Sequence, residues 1–78
     1  MPPSMFITIS SFPPGQPKSP DVSAVDEAKA NNTYAANQLN QLFTEQNLKV
    51  KIFEVIGDAS VPDPEDADIM IVTHVEEN

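Results

Sequence analysis

Ile69-Met70-Ile71-Val72-Thr73 is the most apolar run in the chain, and the way it is used decides the fold. Short β-branched runs of this kind read as strands. A strand without polar alternation is usually buried on both faces, as in parallel sheets. The strand is expected over about 68–75, so the sheet around it must be assembled from earlier residues.

Two earlier segments qualify. Met5-Phe6-Ile7-Thr8-Ile9-Ser10 is β-branched and aromatic with a polar exit, and predicts a strand over 5–11. Lys49 to Ile56 alternates at first and then turns apolar apart from Glu54, and Gly57-Asp58 closes it with turn chemistry, which predicts a strand over 48–56. Between them lies a helical pattern over 21–46. Val25, Ala28, Ala35, Leu39, Leu42 and Phe43 recur at helical spacing and mark one apolar face, which Asn32 interrupts. Ser19-Pro20 and Ser23 with Asp26 are alternative helix starts, and Asn47 is an acceptable terminator. Some 24 residues would span about 36 Å, more than one strand can cover, so an overhang or a break near Asn31-Asn32 is expected.

The order is β-α-β-β. A strand, a long helix and a strand predict a right-handed parallel crossover. The following link, 58–67, is acidic and holds Pro62 and Pro64, with Pro64 to Ala67 able to form one helical turn. Its length permits either a parallel return beside the first strand or an antiparallel one. An acidic turn leading into Ile69-Met70-Ile71-Val72 resembles flavodoxin-like and Rossmann-like domains. That resemblance implies an α/β fold, a three-stranded sheet in the order 2-1-3, and one long helix on one face. An α+β arrangement with the third strand antiparallel is the alternative.

Size and composition bound the rest. Seventy-eight residues make one domain, read as a flexible start at 1–4 and a single unit over 5–78. A chain this short buries only about 60% of its unfolded surface, so its core needs support. Cysteine is absent, which excludes disulfides and thiolate metal sites. No cofactor or metal is implied. Association with a second copy or a host protein is the remaining support. Met1-Pro2-Pro3-Ser4 lacks the basic and apolar regions of a secretory leader and no apolar run reaches membrane length, so an intracellular, cytoplasmic protein without a membrane partner is expected.

All of the net charge of −8 lies in one segment. Residues 1–51 hold four acids and four lysines. Residues 52–78 hold Glu54, Asp58, Asp63, Glu65, Asp66, Asp68, Glu76 and Glu77 and no lysine or arginine. Without arginine, direct nucleic-acid binding is not expected. The eight acids are a candidate partner-binding surface, in its sharpest form a decoy that occupies a basic cleft. The plainer reading is a solubilising face. A calcium loop is excluded, because 58–68 lacks the central glycine and carries two prolines.

Ligands of open parallel sheets bind beyond the carboxyl ends of the strands. Those ends gather Ser10, Ser11, Asp58, Thr73 and His74 as a candidate ligand site. No nucleophile-elbow motif surrounds either serine, so no catalytic residue is assigned. The loop from Phe12 to Pro20 has four prolines and one glycine. It is poorly built for phosphate, for which Ser10, Ser11, Lys18 and Ser19 would be the donors. Its P-x-x-P spacings suit polyproline docking or, more simply, a stiff connector. One helix covers one face of a sheet, yet Phe6, Ile7, Ile9, Phe53, Val55, Ile56, Ile69, Met70, Ile71 and Val72 supply apolar side chains to both. A non-enzymatic binding or regulatory protein with a protein partner is the leading expectation. A truncated flavodoxin-like binder of small molecules or phosphate is the rival.

Overall fold

A computed structural model describes residues 5–16, 22–57, 60 and 66–76. The expected flexible start at 1–4, the second half of the proline loop with Lys18, Ser19 and Pro20, and Asp58, Asp63, Glu65 and Glu77 lie outside the described residues.

Three strands and one helix follow in the order β1 (Met5–Ser11), α1 (Ala24–Thr44), β2 (Val50–Ile56) and β3 (Ile69–Val75). The fold is α/β. Both outer strands pair parallel to β3, so all three run the same way and the antiparallel alternative does not hold. The sheet order is β1-β3-β2, which corrects the expected order 2-1-3. β3 does lie beside β1, but it also lies beside β2. The reason is burial: six of the seven residues Ile69–Val75 are buried, and only the middle position shields a strand along both edges. β2 carries Lys51 and Glu54, which an edge tolerates and a centre does not.

The helix is N-capped by Ser23, whose side chain accepts the Asp26 N–H at 3.1 Å. Asp26 and Glu27 sit in its first turn, where the dipole favours them. It runs unbroken through Asn31-Asn32, so the excess length is taken up as overhang. Twenty-one residues rise about 31 Å, against about 23 Å for a seven-residue strand. At its far end Asn47 adopts a left-handed φ of 62°. The chain reverses there, and Leu48 N–H donates back to the Phe43 carbonyl.

Ala28, Asn32 and Ala36 form the fully buried stripe of the helix. These small residues let its backbone approach the sheet. Ala36 packs with Ile69 and Ile71, and Ile7, Ile9, Leu39, Phe43, Leu48 and Val50 close around them. Leu42 does not join this face and is 56% exposed. At about 100° per residue it stands roughly 80° from Asn32, on the flank, whereas Phe43 stands within about 20°.

Asn32 is 2% exposed, and its carboxamide is used at both ends. Ser11 Oγ donates to Oδ1 at 2.6 Å, and Nδ2 donates to the His74 carbonyl at 3.0 Å. The polar residue that interrupts the apolar face therefore ties the helix to β1 and β3 together. Asn32→Ala leaves two buried-side partners unsatisfied and is expected to cost about 2–3 kcal/mol. Asn31→Ala, one exposed position away, is expected to stay within about 0.5 kcal/mol. Urea unfolding of both variants checks this pair.

Candidate functional site

Parallel register places Ser10, Ser11, Thr73 and His74 of the sequence-predicted ligand residues at one end of the sheet but not on one face. Ser10 is level with His74 and Val55, and Ile9 is level with Thr73 and Glu54. Side chains alternate along a strand. Ser11 and Thr73 thus fall on the helix side, and Ser10 and His74 on the other. Asp58 lies outside the described residues. Ser11 is engaged by Asn32, and Thr73 is 3% exposed beneath the helix. Of the described set, Ser10 and His74 are left together on the face that the helix does not cover.

His74 is anchored at both ring nitrogens. Nε2 lies 2.7 Å from the Gly57 carbonyl and Nδ1 lies 2.9 Å from Glu76 Oε1. A carbonyl only accepts, so Nε2 carries a hydrogen and donates it. Nδ1 then faces the Glu76 carboxylate. Neither nitrogen is left open toward a bound molecule. Gly57 can present its carbonyl because its φ is 72°, a conformation that favours glycine. Its own N–H donates to the Val75 carbonyl at 2.9 Å. Sequence reading saw Gly57 only as a turn and missed Asn32 as a partner. A polar residue between Ala28 and Ala36 on one helical stripe was the available signal.

The described members of the acidic set are likewise engaged close by. Asp68 Oδ2 accepts the Lys49 backbone N–H at 2.8 Å, and the Lys49 carbonyl accepts the N–H groups of Asp68 and Ile69. This reciprocal pairing fixes where β3 starts beside β2. Lys49 Nζ lies 3.3 Å from Asp66, and Lys29 Nζ lies 3.6 Å from Glu54. Such exposed pairs contribute little stability, but they place a cation against each carboxylate. Among the described residues no group of histidines and acids has the arrangement of a metal site.

The face opposite the helix holds a second buried cluster, Val55, Met70 and Val72, with Phe53 packed against it. No described helix or strand lies over it. Phe6, Thr8, Val55, Val72 and His74 line a cavity there of about 300 Å³. Its wall is apolar apart from the Thr8 hydroxyl and the imidazole. Phe6 stands at its side 57% exposed. Of the described strand-end residues chosen from sequence, this recess includes His74 and none of the others.

The chain matches no family model, no curated protein and no solved structure with which it was compared.

The anchoring of His74 has a measurable consequence. His74→Leu keeps bulk in the wall but removes the donor to Gly57, with an expected loss of about 1 kcal/mol. Glu76→Gln leaves that bond in place and should cost less. Chemical denaturation of the two variants side by side separates the two contacts.

Proposed function

We propose that this chain is a non-enzymatic binding protein that holds an apolar side chain of a protein partner on the helix-free face of its sheet. The observation that carries the reading is the apolar cavity lined by Phe6, Thr8, Val55, Val72 and His74. Parallel strands are ordinarily covered on both faces, and the described residues supply one helix. An exposed aromatic beside an apolar recess is the usual anchor geometry of an interface. The acids at the strand ends, among them Glu76, suit a partner with basic residues around its apolar anchor.

Binding is favoured over catalysis by how the polar groups are used. The imidazole has both nitrogens engaged, and the Ser11 hydroxyl is bonded to Asn32. The division of the strand-end residues between two faces also weighs against a flavodoxin-like ligand site. The acidic-decoy form has less support than the apolar face. Glu54, Asp66, Asp68 and Glu76 each have a partner within the chain, whereas a mimic of nucleic acid needs carboxylates open to a cleft. A regulatory role, with the partner's activity as the regulated quantity, fits a chain of this size. No helix among the described residues is long and apolar enough to cross a membrane.

A photo-crosslinking residue in place of Phe6, compared with one in place of the exposed Tyr34 on the outer helix, tests the reading in cells. A discrete adduct to another protein is expected at position 6 and not at position 34. Adducts only at position 34, or none at either, reject it. A thermal-shift screen against apolar small molecules is expected to show no stabilisation. A shift equivalent to about 2.7 kcal/mol at a hundredfold excess over Kd would instead mark the cavity as a small-molecule site.

A further inference from the structure

The two edges of the sheet are not alike. β2 carries Lys51 and Glu54, charges of the kind that keep an edge from pairing with another chain. β1 reads Met-Phe-Ile-Thr-Ile-Ser-Ser, with no charge, no proline and no glycine over seven residues. It pairs with β3 on one side, and no described strand lies on the other.

Backbone direction shows what that open side offers. The Ser11 carbonyl accepts the Glu76 N–H at 2.8 Å, so Ser11 turns its peptide groups toward β3. Along a strand the direction alternates with each residue. Met5, Ile7 and Ile9 therefore face β3 as Ser11 does, and Phe6, Thr8 and Ser10 direct their N–H and C=O groups outward. Three donors and three acceptors stand in a row along an uncharged edge.

We infer that β1 pairs antiparallel with β1 of a second copy of this chain, across a two-fold axis through Thr8. This goes beyond the reading of the helix-free face and rests on the backbone edge of β1, not on the side chains that line the cavity. In that register Thr8 is level with Thr8 of the partner subunit, and Phe6 with Ser10 of the partner subunit. Every outward-facing residue then meets an outward-facing one. Each such pair exchanges two hydrogen bonds, and Thr–Thr is a favourable cross-strand pair. Charge selects the same edge. Each copy carries −8, all of it from residues 52–78. Glu54, Asp66 and Asp68 belong to the β2 side of the sheet, where Lys29 and Lys49, the residue just before β2, hold them. Two copies that meet along β1 thus keep most of the described acids of that segment apart. A two-fold axis normal to the sheet keeps both helices on one face of a six-stranded sheet. It also brings the two Phe6 residues to the same side, so that the two apolar cavities share one floor.

Sedimentation of the full chain, joined with amide hydrogen exchange, tests this. The expected particle has twice the 8.5 kDa mass of the chain. The Phe6, Thr8 and Ser10 amides should exchange more slowly as concentration rises, while those of Ile52 and Glu54 on the other edge do not. Thr8→Pro removes an outward N–H without touching the ladder to β3. It takes two bonds from the dimer and should weaken association roughly thirtyfold. Thr8→Lys keeps the N–H, sets two like charges across the axis and should also give a folded monomer, with far-UV circular dichroism reporting the fold. A monomer at every concentration overturns the inference. So does a dimer whose Phe6, Thr8 and Ser10 amides exchange freely, or one that survives both folded variants.

Discussion

The carboxamide of Asn32 joins three elements whose separate stabilities are small. Its oxygen accepts from Ser11 at the end of β1, and its nitrogen donates to the backbone at His74 near the end of β3. A buried amide with both ends satisfied is directional in a way that apolar contact is not. Alanine and leucine along the rest of the stripe allow the helix to slide or rotate over Ile69 and Ile71. Asn32 admits one depth and one rotation. Once that is fixed, Ala28 and Ala36 lie flat on the sheet, Leu42 is carried out to the flank, and Lys29 comes within reach of Glu54.

A second constraint acts at the other end of β3. Lys49 and Asp68 exchange backbone and side-chain hydrogen bonds that set the start of β3 against the start of β2. The two polar pins therefore hold opposite ends of the central strand, one from the helix and one from the edge. Between them the register is left to apolar packing. The carboxylate of Asp68 acts here as a fixed acceptor, and the imidazole of His74 acts as a bridge between the Gly57 carbonyl and the Glu76 carboxylate. Residue types that suggest chemistry are used in this chain for placement.

How much of this the amino-acid sequence reveals depends on the range of each interaction. Met5–Ser11 and Ile69–Val75 are read nearly to the residue, because β-branched runs ending in polar residues are local signals. Ser23 rather than Ser19 as the helix cap is close to legible, since Asp26 stands three residues on. Strand order is not legible. It is a competition between β1 and β3 for the middle place, decided by total burial. The role of Asn32 is hidden for a related reason: one of its partners is a backbone carbonyl 42 residues away, and every residue type has one. The described members of the candidate ligand set stand on two faces because strand alternation splits neighbours such as Thr73 and His74, which are adjacent only in sequence. The cavity on the helix-free face is built from alternate residues of three strands, and no linear spacing announces it.

The placement of β3 between β1 and β2 also sets the order in which the molecule can be made. The first two strands never touch each other in the sheet. A chain that has emerged only as far as Gly57 holds a helix and two strands with no ladder between them. Every inter-strand hydrogen bond waits for Ile69–Val75, and the closing contacts span more than sixty residues from Met5 to Ile69. Topologies dominated by such distant pairings condense slowly. During synthesis the domain is therefore all-or-none. Its first two thirds carry an uncovered amphipathic helix until the central strand is inserted, and in that interval, with almost all of the net charge still to be made in residues 52–78, the nascent chain depends on its surroundings to stay soluble.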